Sequence, residues 1–443
     1  MGDNARAPML RAACVVKFDH ALGHVIESVH PTGVAPLDDA LARMVARLSL
    51  PDSSSLDLQS GDVVYTFRVR ERGEEYLFGS VFFRQKKQAD VPRGAVQKSL
   101  VVLTSDKTLA TSQLITVLGP LYFTFGPDVL NRAVEEMCAA APLAQPARAL
   151  AVAGTTVSLE PDCIGLYSVF QGLSICLWHA WELTLLAQPV LVLASTPTVC
   201  SQAVLALCSL IAPLKPAQDF RPYFTIFDDE FEKLSTLSSS PAALLEGPIL
   251  GATNPFLLRA LERFPNVLCM TSQTNPTIKL LSGSSLRPLL KDGRWAKSLF
   301  LSKEPALVKR DEAVIQQLRY ALPAAGDALL RATFRDLTEA FLQPMAQHAA
   351  LTAVGSRAAA KTHGLKVTAS TKTFLSEPLK DVDVFDAKAF LASLPRYGGV
   401  FPRALYQKFI ASRNFAPWLS EQRRILAAQR NDIAQVLEAS VAR

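Results

Sequence analysis

Apolar side chains recur at two different periods along this chain, and the change of period divides it. From Ala13 to Leu103 the period is mainly two. Ala13 to Phe18 and Val25 to Val29 predict two short strands around Asp19 to Gly23, and Tyr65, Phe67 and Val69 alternate with Val64, Thr66 and Arg68. Further strands are expected over Tyr76 to Phe83 and Ser99 to Leu103. One helical stretch interrupts them, opened by Pro36, with Leu37, Leu41, Met44, Val45 and Leu48 on one face. Helices over Ser112 to Phe123 and Asp128 to Cys138 close this part. The order ββαβββαα implies an antiparallel sheet with helices packed on it, an α+β architecture.

Residues 139–155, rich in Ala and carrying Pro142 and Pro146, show no apolar period and read as a linker between a first module, 1–138, and a second, 156–300. Beyond the linker, strands alternate with helices. A helix near Ser174 to Ala187 leads to Pro189 to Leu193, a continuous apolar run suited to burial on both faces. Then come a helix from Thr198 to Ile211, a strand from Tyr223 to Phe227, a strand at Pro248 to Gly251, a helix through Leu261 and a strand at Val267 to Met270. Such alternation implies βαβ crossovers and a mostly parallel α/β sheet. Residues 301–443 form a third, helical module, with amphipathic helices over Arg310 to Leu322 and Ala328 to Ala346, and a flexible polar loop is expected near 352–380.

Composition narrows the picture. Hydrophobic residues make up 49% and charged residues 19% of 443, a globular composition in a chain long enough for more than one core. A net charge of +6 over this length argues for no nucleic-acid partner, although clustered Lys and Arg suit an anionic membrane surface. The seven Cys are scattered without zinc-knuckle spacing, and the six His are equally dispersed, so no metal site and no cofactor is expected. The apolar stretch Ile164 to Ala194 contains Gln171, His179, Glu182 and Pro189 and reads as core helix and strand rather than a membrane span. MGDNARAP lacks the apolar core of a signal peptide, and a cytoplasmic protein recruited peripherally to membranes is expected. Phosphate-loop, dinucleotide-binding and nucleophile-elbow motifs are all absent from the sequence. Asp228 and Asp229 have no acidic cluster elsewhere to complete a magnesium site.

Several stretches are similar to a known family. Gly79 to Thr104 (GSVFFRQKKQADVPRGAVQKSLVVLT), Leu177 to Pro197 with its WEL core, Asp219 to Phe231 (DFRPYFTIFDDEF), Gly247 to Leu261 (GPILGATNPFLLRAL) and Ala404 to Arg424 resemble the tripartite DENN-domain family, most closely its DENN domain-containing protein 6 subfamily. The resemblance implies a longin-like first module and a guanine nucleotide exchange factor for a Rab-family small GTPase of endosomal recycling traffic. Such a factor works by protein–protein binding without covalent chemistry. It also implies a contact face between the first and second modules. Candidates on it are Asp219, Phe220, Arg221, Tyr223, Asp228, Asp229 and Glu230, with Phe220 and Tyr223 as aromatic anchors, and the basic hairpin residues Arg84, Lys86, Arg93 and Lys98. The residues leave other readings open. Asp228 to Glu230 also suit a solvated turn, Arg221 with Asp219 a local ion pair, and Asn254 before Pro255 a helix cap. A non-catalytic Rab- or membrane-binding scaffold is the alternative function, and a hydrolase of unknown type a third.

Overall fold

The computed structural model describes residues 10–31, 37–52, 61–72, 75–91, 94–105, 111–139, 149–152, 155–158, 164–237, 247–270, 299–361, 385–395 and 399–441. They fall into two compact units. The first comprises the chain up to Ser174 with Gln188–Ala206 and Asp219–Glu304, and the second comprises Ile175–Ala187, Leu207–Gln218 and Pro305–Arg443.

The first unit begins with β1 (Leu10–Asp19), β2 (Gly23–His30), α1 (Asp39–Leu48), β3 (Val63–Arg72), β4 (Glu75–Lys87), β5 (Ala95–Thr104), α2 (Thr111–Phe125) and α3 (Pro127–Ala139), in the order that the apolar periods predict. The five strands pair antiparallel in the order β2-β1-β5-β4-β3. Alternation sends Ala13 and Val15 into a cluster with Leu114, Leu118 and Leu130 of α2 and α3, and Cys14 and Val16 into a cluster with Met44 and Val45 of α1. Asp38 starts α1 by accepting the Leu41 amide at 2.8 Å. Gly119 lets α2 sit directly on the Phe82 ring, where a Cβ would come within 2.2 Å of it.

The chain continues through a hairpin of β6 (Ala149–Val152) and β7 (Thr155–Ser158), then α4 (Leu166–Val169) and α5 (Leu177–Leu185). Next come β8 (Val190–Ala194), α6 (Pro197–Ser209), β9 (Phe220–Arg221), α7 (Phe231–Leu237), β10 (Ile249–Ala252), α8 (Phe256–Ala260), β11 (Asn266–Met270) and β12 (Leu299–Ser302). These strands form a mixed sheet in the order β12-β11-β8-β10-β9, parallel except where β12 pairs antiparallel with β11. The two sheets share a core: Ala194, Cys200 and Tyr223 pack into the same cluster as Cys14, Phe67 and Phe83. Ser201 accepts the Thr66 amide at 3.3 Å, so the outer edge of β3 is not left open.

The aromatic run at Tyr223 to Phe227, expected as a strand, is not one. The strand is the two-residue β9 just before it, and Pro222 ends the ladder because it has no N–H to donate. Tyr223, at a bend, and Phe224 bury their side chains in different clusters, and a turn begins at Thr225. A buried aromatic pair beside a bend and a strand have the same aromatic signature.

The second unit is helical: α5, α9 (Glu312–Leu318), α10 (Pro323–Lys361), α11 (Ala387–Ser393), α12 (Arg403–Ile410) and α13 (Phe415–Val441). Trp181 is fully buried, donates its indole N–H to Thr338 at 2.9 Å and packs against Phe341 and Phe401. Glu182 is a core carboxylate satisfied by the Leu307 and Val308 amides at 2.8 and 3.1 Å. Asn414, also buried, donates to the Thr184 and Leu185 carbonyls and accepts the Ala217 amide. The loop expected from residue 352 does not start there, since α10 runs on to Lys361; residues 362–384 lie outside the described ones. No helix among the described residues is long and apolar enough to cross a membrane.

Close backbone approach makes one glycine a sharp test of the mixed sheet. A Cβ on Gly251 would lie 2.3 Å from the Pro222 carbonyl and 2.6 Å from the Cys200 sulfur. Gly251→Ala is therefore expected to destabilise the protein by about 1–3 kcal/mol, the usual cost of overpacking a well-filled site. Thermal melting measures it, and wild-type melting would mean that β9 is not held against β10 as described.

Candidate functional site

The segment from Asp219 to Phe231 is built around a buried cation. Arg221 in β9 is only 3% exposed, and a guanidinium there needs fixed carboxylates. Its Nε donates to Asp219 at 2.9 Å and its terminal nitrogen to Glu230. Burial opposes the charge on Arg221, but Asp219, Asp228 and Glu230 together raise its pKa. Asp219 in turn accepts from Arg68 of β3 at 2.7 Å. The Arg68 guanidinium lies 3.5 Å above the Tyr76 ring and 4.2 Å from the Phe220 ring. Arg70, two residues on and on the same face of β3, donates to the Tyr76 hydroxyl at 2.9 Å and approaches Glu230 at 3.8 Å.

From this cluster the chain turns outward. Phe224 donates its amide to Gly251 at 2.7 Å, and the Asp228 amide closes a turn onto the Thr225 carbonyl at 3.1 Å. Asp228 accepts the Glu230 amide at 2.9 Å and is itself only 6% exposed. Burial pushes its carboxyl up to about 6; Arg221 and the Glu230 amide act against that rise, while Glu230 and Asp229 add to it. Arg47 of α1 fastens the turn by donating to the Phe227 carbonyl at 3.1 Å and to Asp229 at 3.2 Å. A cavity of about 250 Å³ remains, bounded by α1, the end of β3, Arg221 and Asp228 to Glu230.

The candidate residues thus fall into two sets. Asp219, Arg221, Asp228, Asp229 and Glu230 come together. Phe220 and Tyr223 belong to the same segment but are 5% and 1% exposed, so they are core residues and not anchors for a partner. Tyr223 packs edge-on against Tyr65 and accepts the Asp52 amide at 2.8 Å. The basic hairpin is elsewhere. Tyr76 and Lys86 are ten residues apart on β4, about 33 Å at the usual rise, so Lys86 stands at the far end of the sheet from Arg221. Arg84 is neutralised there by a two-point contact with Asp62 at 2.6 and 2.7 Å, and Lys98 by Glu27 at 2.5 Å. Lys86 is exposed, and Arg93 lies outside the described residues.

Sequence reasoning missed Arg47, Arg68, Arg70 and Asp52. The alternation Phe67-Arg68-Val69-Arg70 carried a signal, since two arginines on one face of a strand need anions opposite. Asn254, expected as a helix cap, lies one residue before the capping position, which Pro255 takes without a side-chain bond, and it accepts the Phe256 amide at 3.0 Å. It also donates to Asp52 at 2.9 Å, a link across 202 residues that no local pattern announces. Among the described residues no group of His, Cys, Asp and Glu is placed to hold a metal. The arrangement is a polar turn on a buried ionic base.

The raised pKa of Asp228 fixes a sign for the effect of pH. Its folded value, about 6, lies above the ordinary 3.8, so ionisation is less favourable in the folded protein and this carboxyl loses stability as pH rises from about 4 to about 7. Asp228→Asn keeps an acceptor for the Glu230 amide but cannot ionise. Its stability relative to wild type should therefore increase steadily over that range, as read from melts at stepped pH. A constant difference would mean that Asp228 titrates normally.

Comparison with known proteins agrees with this geometry at the level of family. The family model described as transport protein Avl9 matches residues 10–123. Human protein DENND6B is 30% identical over an alignment of 492 positions that takes in 94% of this chain and 80% of the relative. Mouse protein DENND6A is 26% identical, covering 94% of this chain and 76% of its own length. A DENND6 homolog of Dictyostelium discoideum is also 26% identical, over 94% and 70%. Taken with the motifs shared along the sequence, a match of that extent means that the chain belongs to the DENND6 family of DENN-domain proteins.

Proposed function

We propose that this protein is a guanine nucleotide exchange factor that promotes GDP release from a Rab-family small GTPase, working from the cytoplasm and visiting endosomal membranes peripherally. The observation that carries the reading is the match to DENND6 proteins over 94% of the chain. The first unit supports it: an antiparallel sheet and a mixed sheet share one core, and Arg47 of α1 holds the turn at Phe227 beside them. The helical unit corresponds to the downstream module of the family.

Exchange of this kind needs no nucleophile. A factor that binds the nucleotide-free GTPase more tightly than the loaded form weakens nucleotide binding by the same ratio. The protein's task is then to hold the switch segments away from phosphate and magnesium, and a turn that does not yield is suited to that. Asp229, half exposed and oriented by Arg47, is the carboxylate of the turn that faces a partner. Asp228 is a support beneath it. Lys86 and Lys87 on the distant hairpin keep their charge at the surface, and we assign them to the anionic membrane.

Screening the protein against a panel of Rab proteins for loss of a fluorescent GDP analogue tests the reading. Accelerated release from at least one Rab is expected, with tighter binding to that Rab when it is nucleotide-free. Equal affinity in every nucleotide state would make the protein a scaffold. Asp229→Lys should reduce the acceleration severalfold while costing under about 1 kcal/mol of stability, the usual worth of an exposed ion pair. Replacing Lys86 and Lys87 together by Glu should weaken co-sedimentation with vesicles containing phosphatidylserine and leave exchange in solution unchanged. Slower exchange in that variant would instead place the hairpin on the GTPase.

A further inference from the structure

We infer that Phe125 and Val96 are the apolar part of a membrane-contact face, entering the interface of an anionic bilayer while Lys86 and Lys87 meet its headgroups; this rests on the assignment of that hairpin to the membrane. Single exposed apolar residues are ordinary on a protein surface. These two differ in where the fold puts them. α2 lies on one face of the antiparallel sheet and runs in the direction of β4. At its start the Thr111 and Ser80 hydroxyls are 2.7 Å apart, and Gly119 sits on the Phe82 ring. In its last turn Phe123 lies 5.8 Å from the Phe82 ring and 4.7 Å from the Arg84 guanidinium. Tyr122 stands 5.8 Å from the ammonium of Lys98, the residue opposite Arg84 on β5. The end of α2 therefore covers the Arg84–Lys98 pair. The next pair on that face of the sheet is Lys86 with Val96, about 7 Å further along. Phe125, the last residue of α2, is 66% exposed, and Val96 is 38% exposed. Gly126 stops the helix at a φ of 80° and returns its amide to the Tyr122 carbonyl at 2.8 Å, which fixes Phe125 at this end.

The charges beside these residues select the occupant. Arg84 and Lys98 are already paired with Asp62 and Glu27, whereas Lys86 and Lys87 are exposed and hold no ion pair among the described residues. Free cations thus begin where the exposed apolar residues begin, beyond the end of α2. Of the acids in these segments, Asp90 accepts from Gln88 at 3.5 Å, and Asp128 lies in the first turn of α3, where a carboxylate complements the helix terminus. An aromatic ring suits the headgroup boundary of a bilayer, and lysine stems lie along its apolar side while their ammonium groups reach the phosphates. Two lysines alone give an attraction that salt screens. The ring and the valine add the apolar burial that such an attraction lacks, and the sum is a shallow, reversible contact.

The test uses the full chain and vesicles of phosphatidylcholine with or without phosphatidylserine. Phe125→Ser should lower partitioning onto the phosphatidylserine vesicles about tenfold, and Val96→Thr by a smaller factor, both with unchanged melting. Tyr320→Ser, which alters an exposed aromatic in the helical unit, should leave partitioning as it is. Phe125→Trp should add an emission that lipids with brominated acyl chains quench, which a contact by charge alone would not produce. Wild-type partitioning by Phe125→Ser, together with its loss when Lys86 and Lys87 are both replaced by Glu, would overturn the apolar contact and leave the hairpin's assignment standing. If neither change weakens binding, that assignment falls and takes the apolar contact with it. Slower GDP release in solution by Phe125→Ser would place this face on the GTPase, and a wild-type dimer in sedimentation that the same change dissolves would place it between two copies; either result overturns the inference.

Discussion

The first unit depends on keeping a guanidinium dry. Arg221 sits where water cannot reach it, and an unpaired charge there would cost several kcal/mol. That requirement fixes Asp219 before it and Glu230 after it, and so fixes the path of the chain between them. Asp219 engages Arg68, which stacks on Tyr76 and Phe220, so the same demand locks the edge of the antiparallel sheet to the edge of the mixed one. The exposed turn is rigid because its base is ionic and enclosed. Replacing one member of the set leaves another charge buried, whereas Asp229 stands at the exposed end.

Much of the fold was legible in the residues, and for definite reasons. Strand alternation and helical spacing in the first 138 residues gave the order of elements because each element buries one face only. Trp181 and Glu182 read correctly as core packing with a satisfied carboxylate, since a charged group inside an apolar helix has few other ways to exist. The segment at Tyr223 read less well. Aromatic residues mark burial, and burial there comes from a pair set between the bend at Pro222 and a turn, not from a longer strand. Asp228 looked like a surface group because three adjacent carboxylates usually are, and nothing local shows that Arg221 draws one of them under cover. The bonds that assemble the site, Arg47 to Asp229 across 182 residues and Asn254 to Asp52 across 202, have no sequence period at all.

The basic hairpin shows how far composition can mislead about a surface. Five cations between Arg84 and Lys98 suggest a strongly positive patch. In the folded chain Asp62 and Glu27 neutralise two of them, and strand length puts Lys86 and Lys87 at the other end of β4 from the turn.

Asn414 has a consequence for how the chain is made. It joins the carbonyls that end α5 to the amide of Ala217 and lies on the short link before α13, so three stretches of the helical unit meet on one side chain delivered late in translation. Ribosomal synthesis is vectorial: α5, with Trp181, Leu183 and Leu185 on it, emerges more than a hundred residues before its helical partners. The nascent chain must carry that apolar helix unshielded while everything from Gln188 to Glu304 is added. Until Phe409, Asn414 and Trp418 have cleared the exit tunnel, α5 lacks the side chains that complete its burial, an interval in which exposed apolar surface favours aggregation.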